Sequence, residues 1–390
     1  PVAAPVTLIT VHLLTIGWLT LLILGALFQF VPVITEGEWH GDRAGLLALI
    51  GIAAGLLTMS AGFAGLGADS PLERLLPAGG VLVVAGVLCG VFALARVLWA
   101  ARPWPLQARF VATALLFLLA TVGLGVCFAF ALATKGLIGA GTTAWLVTGG
   151  LKLHLAAGIG GWFTLTAMGV GYKLLPMFSL APEERGKTGE AIYWLTAGGL
   201  ALLCLAGFAG GAQRGLWWLG ALAAGCGLVL YLIDMARLFR DRRRRVLELN
   251  ARFAIWALAG LGAALALTAW SAATGDAGRV PTVVYLDLFA WLSGLSLSQL
   301  YKIVPFLTWL ERYGPRLGAG RVPRVQDLVV EKRAFPAFVA YYAGCALSAA
   351  GGLLTQPRLW QAGALVTLLA TLKIGRELWR ARHDEPETTN

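Results

Sequence analysis

The chain has 390 residues, of which 58% are hydrophobic and 13% charged, with a mean hydropathy of +0.76 and a net charge of +11. That composition excludes a soluble globular domain and a disordered chain. The basic balance does not point to nucleic acid, because the cations sit in short segments between apolar runs. Five cysteines stand singly inside those runs, with no CxxC or CxxCH pair, so no zinc knuckle or covalently attached haem is expected. They read as small apolar packing residues.

Apolar runs of about 20 residues or more recur, each long enough to cross about 30 Å of hydrocarbon as a helix. They are far too long for barrel strands, so the fold class is all-α, a polytopic membrane helical bundle. In chain order the expected spans are 6–34, 44–67, 77–100, 105–134, 142–178, 191–211, 215–240, 250–273, 281–310, 334–355 and 358–380. They form a single transmembrane domain over 1–390, and the segment from Glu311 to Arg333 is a polar loop with room for one surface helix. The abundant glycine suits close packing of membrane helices.

Taken alternately, the loops carry about 25 Lys and Arg on one side and about 6 on the other. The rich side holds the run from Arg240 to Arg245, the cluster Arg312 to Arg333 and the tail from Lys373. This places the C-terminus in the cytoplasm and residue 1 outside. A helix upstream of Pro1 would make twelve spans with both ends inside. The arginine run suits anionic headgroups, so membrane lipids are expected partners. Lys173 and Lys302, near the cytoplasmic ends of their spans, are expected to snorkel to headgroups.

Three segments repeat one another, within 6–34, 142–178 and 281–310. They read VHLLTIGWLTLLILGALFQFVPVI from Val11, LAAGIGGWFTLTAMGVGYKLLPMF from Leu155 and YLDLFAWLSGLSLSQLYKIVPFLT from Tyr285. Aligned on Pro32, Pro176 and Pro305, they superpose Trp18, Trp162 and Trp291. Gly25, Gly169 and Ser298 also coincide, as do Phe28, Tyr172 and Tyr301. The prolines are 144 and 129 residues apart, which leaves room for about four spans per interval. One unit used three times predicts pseudo-threefold symmetry.

Four histidines occur. His40 and His383 fall in a loop and the polar tail. His12 and His154 lie within the outer part of two repeat helices, where an ionisable residue points to function. A neutral imidazole bonded to a neighbouring carbonyl is the alternative for each. In repeat register the two positions are two residues apart, about 200° around a helix, so they are expected to address different pores. Asp287 is the sharpest acidic residue. It is expected to pair with Lys152 or Arg279, or to belong to a proton or ion route.

This pattern resembles subunit I of the haem–copper oxidases, the C-family (cbb-type) enzymes in particular. The resemblance spans nearly the whole chain as architecture and rests on motifs confined to about 75 residues. It implies three arcs of four helices in a bacterial inner (cytoplasmic) membrane, with ligand-bearing helices at 6–34, 142–178 and 281–310. NnrS-type proteins share that build, though no diagnostic NnrS motif is matched. The resemblance implies a haem b held by His12, with Tyr285 standing where the family has the opposing histidine. Tyrosine can ligate haem iron, bond a propionate or simply fill space near the membrane surface. His154 stands at a copper-ligand position and would line a second, vestigial metal or ligand pocket.

The departures are informative. Val283 replaces the ligand expected for a high-spin haem, and 191–211 contains no histidine, where a copper pair is expected. Copper needs about three nitrogen ligands, so a conventional oxygen or nitric-oxide reductase is excluded. The expectation is a divergent noncatalytic member, acting as a redox-associated or accessory subunit with other membrane or redox subunits as partners. Two rivals remain open. One is a cofactor-free scaffold or transporter on the same fold. The other is copper handling by His154 with Met168 or Met177.

Overall fold

The computed structural model describes residues 4–39, 41–67, 70–134, 139–182, 186–208, 214–318 and 322–383. His40, Lys135 and the tail beyond His383 lie outside the described residues. Eleven long helices run in chain order among the described residues: α1 Pro5–Thr35, α2 Asp42–Gly65, α3 Pro71–Ala100, α4 Leu106–Ala133, α5 Ala140–Ser179, α6 Gly186–Phe208, α7 Arg214–Arg240, α8 Leu249–Thr274, α9 Ala277–Arg312, α10 Glu331–Leu353 and α11 Pro357–His383. Ten of them, α1 to α10, are long and apolar enough to cross a membrane, so the chain is a multi-pass membrane protein.

The expected eleventh span, 358–380, is helical, but Arg358, Lys373, Arg376, Glu377, Arg380 and Arg382 break its apolar run. It packs against α10 instead. A Cβ placed on Gly363 would lie 2.5 Å from Ser348 Oγ and 2.7 Å from the Gly344 carbonyl. The helix thus lies directly along α10. The polar segment after α9 forms two short 3-10 turns, Gly314–Arg316 and Val325–Leu328, rather than a surface helix.

The helices gather into two compact units. Unit 1 holds α1 to α7. Unit 2 holds α8 to α11.

Within each unit one theme recurs. A motif helix is followed by a tight antiparallel hairpin: α1 by α2–α3, α5 by α6–α7, and α9 by α10–α11. Glycine at the crossing lets the backbones touch. A Cβ at Gly55 would lie 2.6 Å from Val83 N and 2.7 Å from the Gly79 carbonyl, leaving no room for a side chain. The second hairpin uses Gly199 and Gly220 in the same way. A single helix precedes two of the motif helices and packs against them. Thus α4 meets α5 where Phe117 lies over Gly161, and α8 meets α9 where Gly260 lies against Ala290.

The sequence repeat therefore returns as a repeat of structure. The motif helices share an irregularity as well. Each is π-helical over Leu13–Thr20, Ala156–Thr164 or Leu286–Ser293, the turns that hold Trp18, Trp162 and Trp291. Shifted by the proline spacings, the three stretches superpose to within one residue at one end. Each helix also carries its proline inside the following α-helical stretch. Proline removes a backbone bond and a π turn relaxes the ladder, so these helices are locally deformable at fixed points.

In unit 1 the indole of Trp162 donates from Nε1 to Thr20 Oγ1 at 3.1 Å, tying the second motif helix to the first. Both partners are buried. Nearer one end, Arg109 of α4 grips Glu190 of α6 through two parallel bonds of 2.8 and 2.7 Å. The cysteines are all unpaired, but only Cys345 is fully buried. Cys127 and Cys226 lie on outward surfaces of their helices, so interior packing does not account for them.

Candidate functional site

The two intramembrane histidines both lie in unit 1, each just before the tryptophan-bearing π stretch of its helix. His12 ends the first α-helical stretch of α1. Its Nδ1 lies 2.7 Å from the Leu8 carbonyl, and its ring lies 5.0 Å from that of Phe63 on α2. Around them lies an apolar cluster that includes Leu56, Met59, Leu76 and Ile16. His154 reaches across to α4. Its Nδ1 lies 3.1 Å from the Thr121 carbonyl, Phe128 meets it edge-on at 5.8 Å, and Gly125 lies beneath its Cε1.

A carbonyl oxygen can only accept a hydrogen bond. Nδ1 therefore donates in both rings, and Nε2 keeps its lone pair. This is the usual arrangement of a metal-binding imidazole, whose second nitrogen is held by a carbonyl that fixes the ring. The acceptors differ in origin. Leu8 lies one turn back on the same helix, whereas Thr121 belongs to a neighbour, so His154 is also fixed by tertiary packing.

His12 and His154 both lie in unit 1, the first against Phe63 of α2 and the second against Thr121 and Phe128 of α4. Between those walls α3 packs on α4, with Gly80 beside Val126. Thr121, Val122 and Leu124 to Val126 are only half-buried at mid-helix. The wall behind His154 is thus less tightly filled than the hairpin crossings.

Tyr285 belongs to unit 2. Its ring stacks on Phe289 at 4.8 Å and meets Trp360 at 6.4 Å. Its hydroxyl is buried and makes no hydrogen bond to the described residues.

Asp287, two residues on, lies in the π stretch of α9. The expected salt bridge to Arg279 is not formed. Arg279 instead holds Asp276 at 2.7 Å and covers the Trp270 ring at 4.0 Å. Lys152 stands over Trp217, 5.9 Å from its ring. Among the described residues, Asp287 makes no ion pair.

Lys302 corrects another expectation. It does not snorkel but holds Glu248 at 2.6 Å, and Arg244 binds the other carboxylate oxygen. Burial pushes the Glu248 carboxyl up, and these two cations outweigh it, holding it below the usual carboxylate range.

Among the described residues no three His, Cys, Asp or Glu side chains gather into a metal-binding group. Two imidazoles with free Nε2 atoms are the available donor set. Two imidazole nitrogens could hold a haem, and they fall short of the about three nitrogen ligands that a copper centre needs. No protein-family profile matches the chain, and no curated protein matches it.

Proposed function

We propose that the chain is a divergent, noncatalytic relative of haem–copper oxidase subunit I in a bacterial inner membrane, serving redox transfer as an accessory subunit. Its C-terminus and the Arg240–Arg245 loop face the cytoplasm, in keeping with the loop charge asymmetry. The observation that carries the reading is the pair His12 and His154. They come from two copies of one repeated helix in the same compact unit, with Nδ1 anchored and Nε2 available.

These two residues would hold one b-type haem between α1 and α5. When bound, such a haem would supply one-electron transfer. The chain's own groups do the rest. The Leu8 and Thr121 carbonyls fix the tautomers. Phe63 and the apolar cluster around it exclude water from the His12 side, which keeps the local dielectric low. The Trp162–Thr20 bond holds α5 against α1 about two turns beyond the histidines.

Haem extraction and quantification on protein purified from haem-replete cells tests the proposal. One haem per chain is expected, and a ratio near zero would remove it. A transporter reading has one specific support, the unpaired Asp287 within a membrane span. Proton- or cation-driven uptake into vesicles that is abolished by Asp287→Asn would favour it.

A further inference from the structure

Unit 2 contains a cavity of about 260 Å³ at the end of α9 that bears the motif tyrosine, lysine and proline. Glu248, Asn250 from the start of α8, Glu331 from the start of α10, Gln326, and Tyr301 with Lys302 from α9 form its polar wall. Pro305, Val325 and Val329 form the apolar one. Asn250 and Glu331 stand in the first turns of their helices.

Asn250 is 2% exposed, yet neither its Oδ1 nor its Nδ2 has a protein partner. A buried amide with both ends unmet is costly and rare, and it calls for an occupant that donates and accepts together. Glu331 accepts from the Leu249 amide through Oε1 at 2.9 Å, which caps α8 and leaves its other oxygen unbonded. The Lys302 ammonium has three N–H groups and gives one to Glu248 at 2.6 Å. Tyr301 donates to the Val330 carbonyl at 3.2 Å and fixes the loop that closes the cavity.

The charges narrow the occupant further. A simple anion would meet Glu248 and Glu331. A simple cation would meet Lys302. An ammonium and an oxyanion carried on one small molecule satisfy both sides.

We propose that this cavity binds a small zwitterion, its ammonium on Asn250 Oδ1 and Glu331 and its oxyanion on Asn250 Nδ2 and Lys302. A free aliphatic α-amino acid has this chemistry, and so does the headgroup of phosphatidylethanolamine. The inference uses unit 2 alone and stands or falls independently of haem in unit 1.

The test uses the full chain purified in mild detergent. In one arm, L-valine, isobutylamine and isobutyrate are titrated while thermal unfolding is followed. The two control compounds each carry one of the two charges. In the other, native mass spectrometry compares retention of phosphatidylethanolamine with that of phosphatidylglycerol. Saturable binding of L-valine, with both single-charge compounds at least about tenfold weaker, identifies the free ligand. Selective retention of phosphatidylethanolamine identifies the lipid. In either case Asn250→Leu should abolish binding, and Glu331→Gln should weaken it by about tenfold, the weight of one charge-assisted hydrogen bond. If Asn250→Leu fails to fold, Glu331→Gln decides, because a glutamine oxygen can still cap Leu249. No binding to the native chain in either arm, or binding unchanged in the variants, would overturn the proposal and leave a water-filled cavity.

Discussion

Replacing Thr20 with valine removes the acceptor that Trp162 uses across the contact between the first two repeat copies. The bond is 3.1 Å long, and both partners are buried, Trp162 at 1% and Thr20 at 4% exposure. Valine matches threonine in shape, so packing is preserved while the indole N–H is left unmet. In membranes such an interhelical bond contributes about 0.6 kcal/mol on average and about 1.7 kcal/mol at most. Full burial on both sides places this one in the upper half of that range. Trp162→Phe removes the same bond and about 40 Å³ of packed volume, and at about 24 cal/mol per Å³ the void adds about 1 kcal/mol. The double variant then isolates the bond, since the void is present with or without Thr20. Unfolding in mixed micelles, followed by helicity, gives the four stabilities. A coupling of about 1 kcal/mol or more is expected. A coupling within about 0.3 kcal/mol of zero would show that the two copies do not meet through this bond, and the paired-copy core of unit 1 would be wrong.

The remaining expectations follow from other parts of the molecule. Gly55→Leu should destabilise unit 1 by about 1–3 kcal/mol or prevent its assembly, because its Cβ would meet backbone at 2.6 Å; Ala54→Leu, at an exposed position of the same helix, is the control that thermal unfolding should separate from it. Glu248 has its carboxyl held below its ordinary value by Lys302 and Arg244. Its contribution is therefore complete above the unfolded-state value near 4.5 and is lost as pH falls through the lower folded-state value. Stability of the native chain should fall on acidification through that window, and Lys302→Met should flatten the dependence; an unchanged pH profile in the variant would contradict the pairing. A single cysteine at position 243, in a background lacking the five native cysteines, should resist impermeant reagents in intact cells and react after lysis. Labelling from outside would reverse the orientation.

The helical bundle was legible because lipid leaves the backbone few choices, and a run such as that of α4 can be little else. The repeat was legible because Trp, Gly, Tyr and Pro recur at fixed spacing. Nothing in those letters announced that the turns around Trp18, Trp162 and Trp291 are π-helical. The extra residue per turn is absorbed locally and leaves the average apolar pattern intact. Composition placed α11 among the spans on its apolar middle, but its charged residues leave it outside the ten helices apolar enough to cross, and it packs on α10 at Gly363. The histidine site was half legible. Depth and scarcity singled out His12 and His154, but whether they meet depends on which helices lie across from them. Lys302 shows the same limit, since its partner Glu248 lies in the connection between α7 and α8, 54 residues away in sequence. The cavity beside it escaped because Asn250 looks like an ordinary helix-start residue until its neighbours are known.

The most direct test is the visible spectrum of four purified proteins from haem-replete cells: the native chain, His12→Ala, His154→Ala and Tyr285→Phe. The two-histidine site predicts a b-type Soret band, with sharp reduced-state bands of a low-spin haem, in the native protein. Tyr285→Phe should keep the spectrum unchanged, and each histidine variant should lose the band or its low-spin form. A colourless native protein, or a low-spin spectrum that survives His154→Ala, would contradict the site.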